Sequence, residues 1–374
     1  MRSRPTQAVV DLDAIASNFH LLQSRAGGRA VYAVVKADAY GHGAAAVARR
    51  LRREGADRFA VATVEEAVAL RREGARGELL VLGGARGADA VVARGYGLTV
   101  AVHDLEQARA LAAATASFPS ALPVHLKLDT GMGRLGVRRE ELAKLALVVR
   151  GSAGLAVTGA FTQLASGEDA GLEPTAGQID ALREGLAALR EAGVGPGTVH
   201  VANSGAMLVH PDALFDAVRP GLGLYGVLPS EEIPNPGLLP AMSLETQVLV
   251  AKDVPSGTPL GYGGRFKTSR ASRIAVLPIG YHDGFRRAFS GRVAVLLRGK
   301  RAPVVGVVSM DLTLVDATEA GAAPGDRVVL MGRVGADAVT AWDLARAAGT
   351  IPWEILCGIG PRVPRVYSQA VLPN

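Results

Sequence analysis

Short apolar runs rich in β-branched residues recur through the first two-thirds of the chain, each followed by a helical alternation of apolar and polar positions. The runs are 31–36, 59–62, 79–82, 99–102, 124–128, 157–162, 198–202 and 214–218. Amphipathic stretches lie between them, for example 44–53 closing at Gly55 and 64–72 closing at Gly74, where glycine suits a helix C-terminus. Eight strand–helix units within about two hundred residues predict an α/β fold, a (β/α)8 TIM-like barrel. After about Pro240 the texture changes. Runs 248–254, 273–278, 293–297, 303–308 and 327–331 read as closely spaced strands with Gly and Pro turns, which predicts a C-terminal β-rich domain. Residues 8–12 are a strand of either domain, and we place them with the C-terminal sheet. Residues 341–348 read as one late helix. The expected domains are therefore a barrel over 1–240, with 1–12 joining the later sheet, and a β-rich domain over 241–374.

Hydrophobic residues make up 49% and charged residues 20% of the 374, the balance of a soluble globular protein. Met1 to Asp11 holds no apolar run of signal-peptide length, and no segment of membrane-spanning length lacks a charge or a turn. A cytoplasmic location without membrane contact is expected. The single cysteine, Cys357, excludes an internal disulfide and a cysteine metal cluster, and no metal is expected at the site. We read it as a small buried apolar residue. A formal charge of +6 raises the question of nucleic acid. The arginines, however, sit in helix-like stretches such as 49–53 and 71–76 with glutamate beside or among them. There is no lysine-rich tail, zinc-finger spacing or aromatic–basic pattern, so solvated helix faces are the reading and nucleic acid is not an expected partner.

Reactive groups of such barrels gather at the C-terminal ends of the strands. The first strand ends in Lys36, within Val35-Lys36-Ala37-Asp38-Ala39-Tyr40-Gly41-His42-Gly43, and the fifth continues as Lys127-Leu128-Asp129-Thr130-Gly131-Met132-Gly133-Arg134. The sixth ends near Gln163, the seventh at Asn203-Ser204-Gly205 and the eighth at Arg219-Pro220-Gly221. A lysine directly after a buried apolar run is costly unless paired or used. Position alone leaves two readings: Lys36 pairs with Asp38 or another mouth carboxylate, or burial makes its amine a nucleophile toward a carbonyl. Glycines near strands seven and eight suit a phosphate held by backbone N–H groups, or are ordinary turns. No Walker loop or dinucleotide glycine fingerprint is present.

These stretches, together with Gly261-Tyr262-Gly263, Pro278-Ile279-Gly280-Tyr281-His282-Asp283-Gly284 and Ser309-Met310-Asp311, resemble the alanine racemases, two-domain fold-type III pyridoxal-phosphate enzymes, over essentially the whole length. The resemblance implies pyridoxal 5'-phosphate as cofactor, with Lys36 as Schiff-base lysine and one catalytic base. Tyr262 would be the second base, reaching over from the partner of a homodimer with shared active sites. Tyr40, Ser204 and the backbone of Gly221 and Leu222 would hold the phosphate, with Asn203 beside them. Arg219 would bond the pyridine nitrogen. Arg134 would touch the phenolic oxygen and orient the small amino-acid substrate with Met310, near Tyr281. Lys127 resembles a lysine often carbamylated in this family. Glu168 and Arg287 stand where a charged pair gates the substrate entrance. The biological role implied is D-alanine supply for bacterial cell wall.

The chemistry is coherent on its own terms. Racemisation needs an acidic Cα proton and bases on opposite faces of the carbanion, with the cofactor as electron sink. A phenol's usual pKa near 10 means that Tyr262 needs a cation such as Arg134 nearby. A guanidinium at Arg219 keeps its proton, so it leaves the ring nitrogen unprotonated and discourages transamination. The alternative for Arg219 is phosphate pairing or a salt bridge in the barrel.

Two positions depart from the family pattern. Thr162-Gln163-Leu164-Ala165 stands where many members have histidine after threonine. Gln163 can bond Arg219 but cannot titrate. Trp353 replaces a tyrosine whose hydroxyl contacts the phosphate, which shifts the expected preference among alanine, serine and similar substrates, unless Trp353 is only a core residue. A decarboxylase of the same fold type would favour an acidic partner where Arg219 stands. A non-catalytic pyridoxal-phosphate barrel would lack Tyr262, Tyr281 and Met310.

Overall fold

The computed structural model describes residues 4–169, 171 and 173–368; the outer limits of the two expected domains, 1–3 and 369–374, lie outside the described residues. The chain divides into two compact units. One comprises Ile15–Ala39 and Gly43–Leu239, the other Met1–Ala14, Tyr40–His42 and Pro240–Asn374.

The chain enters through β1 (Gln7–Asp11) and α1 (Leu12–Arg25). Eight parallel strands then close into a barrel: β2 (Ala30–Val34), β3 (Arg58–Val61), β4 (Glu78–Val81), β5 (Thr99–Val102), β6 (Leu122–Lys127), β7 (Leu155–Phe161), β8 (Thr198–His200) and β9 (Ala217–Val218). All eight expected strands occur. β9 closes the ring on β2, with Ala30 opposite Ala217 and Val31 opposite Val218. β5 is buried at every position, as the continuous apolar run of a strand covered on both faces requires. The last strand is shorter than the run 214–218 because Pro211–Ala213 forms a 3-10 turn and Phe215 takes a positive φ of 39°.

The helices between the strands are α2 (Ala44–Arg53), α3 (Val64–Arg72), α4 (Ala90–Gly95), α5 (Leu105–Thr115), α6 (Arg139–Arg150), α7 (Glu173–Glu191) and α8 (Ser204–Val209). α2 buries Val47, Ala48 and Leu51, one helical stripe, and Arg49, Arg52 and Arg53 face outward. α3 starts at a reciprocal cap in which Thr63 and Glu66 satisfy each other's backbone N–H groups.

The second unit is a mixed sheet built from β10 (Met242–Gln247), β11 (Val250–Val254), β14 (Ser272–Leu277), β15 (Ala294–Leu297), β16 (Lys300–Val305), β17 (Thr313–Asp316), β18 (Arg327–Val334), β19 (Asp337–Val339) and β20 (Arg365–Ser368). A separate ribbon pairs β12 (Pro259–Leu260) with β13 (Phe266–Lys267). The main order is β11-β14-β17-β16-β15-β18-β10-β1-β20, with β19 beside β18. β1 joins this sheet, antiparallel to β10 and parallel to β20. The run 303–308 is displaced toward the N-terminus because β15 and β16 form a hairpin on Arg298 (φ 52°) and Gly299 (φ 75°). Two positive φ values in a two-residue loop match the twist of the flanking strands. The helix expected at 341–348 is α9 (Ala341–Ala348), capped by Thr340 and Asp343. Cys357 departs from expectation. It ends α10 (Pro352–Cys357), where Pro352, Ile355 and Leu356 take the buried stripe and the next position turns out to solvent.

Candidate active site

Lys36 follows β2 and the fully packed Val35, at the C-terminal mouth of the barrel. The chain then makes a left-handed turn: Ala37, Asp38, Ala39 and Tyr40 have φ of 52°, 52°, 55° and 54°. Each such L-residue costs on the order of 1–2 kcal/mol, so the turn must be held from outside. Glu66 Oε1 accepts the Ala37 N–H at 2.7 Å, and Oε2 accepts the Ala62 N–H at 2.7 Å. The Asp38 carboxylate accepts the Ala44 N–H at 2.7 Å and thereby holds the start of α2. The backbone after Lys36 is therefore pinned on both sides.

Lys127 ends β6 and is 6% exposed, with its Nζ 5.5 Å from the Phe161 ring centre. Burial, then the charges of Arg134 and Arg219 and, after the opposing pull of Asp129, Lys36, bring its pKa down to about 8. Lys36, Lys127, Arg134 and Arg219 all follow or end barrel strands at the same mouth, and Lys127 and Arg219 both lie against the Phe161 ring. Arg134 is exposed in a loop fastened at its base. Asp129 Oδ1 accepts N–H bonds from Gly131 and Gly133 at 3.1 and 3.0 Å. Gly136, at φ 126°, lets the return strand pass where a Cβ would lie 2.6 Å from Asp129 N.

Arg219 directly follows β9 and is 4% exposed. Its Nη1 donates to His200 Nδ1 at 2.7 Å and to His200 O at 2.8 Å. Its Nη2 donates to the carbonyls of Thr162 and Val201 at 2.9 and 3.0 Å and to Gln163 Oε1 at 3.3 Å. The face of the guanidinium lies 5.2 Å from the Phe161 ring centre. Among the described residues every acceptor is neutral, none is a carboxylate, and none takes the Nε–H. Burial brings the Arg219 pKa down to about 10, so the group keeps its proton at neutral pH.

Ser204 is buried, and its Oγ accepts the N–H groups of Gly221 and Gly223 at 2.9 and 3.0 Å. With both lone pairs engaged, its own hydrogen remains to be donated. The Gly221 N–H is thus taken up inside the cradle. Leu222 is buried beside it, and Asn203 caps α8 through the Ala206 N–H at 2.9 Å.

The second unit carries the other expected residues. Tyr40 is buried, and burial with the nearby Cys357 raises its phenol pKa. Gly41, at φ 81°, sits so close to α10 that a Cβ would lie 2.5 Å from Leu356 O. Trp353 is half-buried on that helix. Tyr262 is 72% exposed, and Tyr281 and Met310 are exposed too. The Tyr281 N–H donates to Ser309 O and the His282 N–H to Met310 O, locking their two loops together. The fully buried Asp283 anchors them. Burial pushes its carboxyl up, but the Arg4 bond, the Gly280 N–H and the charges of Arg4 and Arg362 hold it below the usual range.

The sequence assigns no role to Glu66, His125, His200 or Asp283. Asp283 stands inside the Pro278–Gly284 motif, and Glu66 leaves the Thr63-x-x-Glu66 spacing of a capping box.

The chain matches the family models "Alanine racemase, N-terminal domain" over residues 10–229 and "Alanine racemase, C-terminal domain" over 241–367. It is 42% identical over 366 residues to an alanine racemase of Symbiobacterium thermophilum, covering 97% of each chain. A crystal structure of alanine racemase from Streptomyces lavendulae superposes with a TM-score of 0.95 at 37% identity, covering 99% of each chain. That from Bartonella henselae, with covalently bound pyridoxal phosphate, gives 0.88 at 32% identity over 97% of this chain and 99% of that one.

The donor set fits that cofactor: an amine at Lys36, a spare hydroxyl hydrogen at Ser204 and a charged Nε–H at Arg219 without a protein acceptor. Parallel barrel, mixed-sheet domain and these donors together define a barrel-type pyridoxal-phosphate isomerase. The chain belongs to the alanine racemase family.

If Glu66 pins the turn after Lys36, Glu66→Ala lowers kcat/KM for racemisation about tenfold or more, since a small displacement of a reacting group is costly. Glu66→Gln, which keeps one acceptor oxygen, gives an intermediate loss. Equal rates for wild type and Glu66→Ala would remove Glu66 from this role.

Proposed function

We propose that the protein interconverts L- and D-alanine by a two-base mechanism in a cytoplasmic homodimer, supplying D-alanine for cell wall. The observation that carries this reading is Arg219, a buried cation with only neutral partners and one donor left over. An acidic partner for the ring nitrogen, as a decarboxylase of this fold type would favour, has no counterpart there.

Bound pyridoxal phosphate supplies an electron sink that makes the substrate Cα proton acidic. Lys36 Nζ holds the cofactor and takes or returns the Cα proton on one face. The Tyr262 hydroxyl of the second subunit does the same on the other, so a proton lost to one base and regained from the other inverts the centre. Exposure of Tyr262, Tyr281 and Met310 on their own unit supports a role in the partner's site. Arg134 orients the substrate carboxylate with Met310. The Ser204 hydroxyl, Tyr40, Asn203 and the backbone of Leu222 hold the phosphate, with Gly221 positioning Ser204 through its N–H, and Gln163 and Trp353 border the cofactor. Arg219, donating through Nε–H, leaves the ring nitrogen unprotonated and limits transamination. No helix among the described residues is long and apolar enough to cross a membrane.

The decisive assay incubates the purified holoenzyme with single L-amino acids and follows D-enantiomer by chiral chromatography. Alanine should be the best substrate. Lys36→Ala and Tyr262→Phe should each slow it by roughly 100-fold or more, the usual contribution of a positioned base. If neither does, the two-base assignment fails. Trp353→Tyr should change the alanine-to-serine rate ratio, and an unchanged ratio would take Trp353 out of the pocket.

Lys127 is carbamylated in this reading. Its amine, lowered to about 8 by burial and three neighbouring cations, is partly neutral near pH 8 and so can add carbon dioxide, turning a cation into an anion beside Arg134. With 13C-bicarbonate, a carbamate carbonyl signal should appear near pH 8 and weaken as the pH falls below it and the amine protonates. A signal that persists in Lys127→Ala would contradict the assignment.

A further inference from the structure

Two buried imidazoles lie behind Arg219, and the proposed chemistry uses neither. Arginine can only donate, so His200 Nδ1, 2.7 Å from Arg219 Nη1, must offer its lone pair and carry its proton on Nε2. That Nε2 lies 2.8 Å from His125 Nδ1, which must accept in turn. The proton of His125 therefore sits on its own Nε2, facing Glu78 Oε1 at 3.5 Å, and Glu78 lies 3.4 Å from Arg58 Nε. The file has one direction, guanidinium then two imidazoles head to tail, and it ends at the buried His125 Nε2, which has the Glu78 carboxylate nearby but no hydrogen bond to it. Burial, with the charge of Arg219, keeps both rings neutral; His125 comes down to about 3 and His200 falls well below its usual range.

The packing makes room for these rings. His200 stacks on Phe161 with centroids 4.7 Å apart and leans on Tyr32 at 5.2 Å. His125 lies over Gly159, its register partner on β7, where a Cβ would come within 2.5 Å of the imidazole.

We propose that His125 is a positioning residue for Arg219: its Nδ1 lone pair anchors the Nε2–H of His200 and fixes the ring orientation that presents Nδ1 to the guanidinium. Without that acceptor the Nε2–H of His200 is a buried donor with nothing to bond, which is unfavourable. A half-turn of the ring about Cβ–Cγ then competes, and it puts Cδ2 where Arg219 needs an acceptor. This rests on the reading that Arg219 serves the cofactor.

Two substitutions separate the acceptor from mere bulk. In His125→Asn the amide oxygen can stand where Nδ1 stands, whereas the amide of His125→Gln reaches the Nε2 end. Both are prepared as holoenzyme, with thermal midpoints to establish that they fold. Nitrogen-15 NMR of histidine-labelled protein should show His200 as a neutral Nε2–H tautomer with a hydrogen-bonded Nδ1 in wild type and His125→Asn. In His125→Gln the Nδ1 hydrogen-bond signature should be lost. The Kd for pyridoxal phosphate should rise about tenfold in His125→Gln, the scale of one hydrogen bond, and stay within about threefold in His125→Asn. An unaltered His200 signature in His125→Gln overturns the proposal, as does equal weakening of cofactor binding in the two variants. A changed signature with unchanged Kd overturns the assignment of Arg219 to the cofactor instead.

Discussion

A cation buried at the end of a short strand, with no anion beside it, is the constraint around which the barrel mouth is arranged. Arg219 could be neutralised cheaply by an aspartate or glutamate. The chain instead surrounds it with carbonyls, an amide oxygen and an imidazole lone pair. Each neutral acceptor is weaker than a carboxylate, so several are needed, and they come from β8 and from the residues just beyond β7 and β8. The guanidinium thus keeps its charge for whatever its Nε–H meets. Lys127 is affected by the same field, since Arg219 and Arg134 add to burial in lowering its amine.

The second requirement is a reactive lysine on a backbone that does not drift. Regular structure ends at Val34, and the four left-handed residues after Lys36 are costly for L-amino acids. Two carboxylates offset that cost by accepting backbone N–H groups, Glu66 from Ala37 and Asp38 from Ala44. In the sheet unit, Asp283 does comparable work for the loops that carry Tyr281 and Met310. Charged groups in this chain thus often set loop geometry.

The barrel was legible because parallel strands covered on both faces need unbroken apolar runs, and such runs survive as sequence. The limits at 214–218 and 303–308 were less legible, being set by backbone angles at Phe215, Arg298 and Gly299. Lys36, Ser204 and Arg219 could be read from motifs at strand ends. His125 and His200 could not, since a histidine within an apolar strand looks the same whether it packs or relays a hydrogen bond. Only the register of β6, β7 and β8 brings them into line with Arg219. Cys357 is exposed for a related reason: cysteine is usually buried, but this one falls just past the buried stripe of a six-residue helix.

The claim on which the rest turns is that Arg219 holds the ring nitrogen of the cofactor without protonating it. Nitrogen-15 NMR of holoenzyme reconstituted with ring-labelled pyridoxal phosphate reads that state directly. An unprotonated pyridine resonance at neutral pH is the expected result. A pyridinium resonance in the unaltered protein would contradict it.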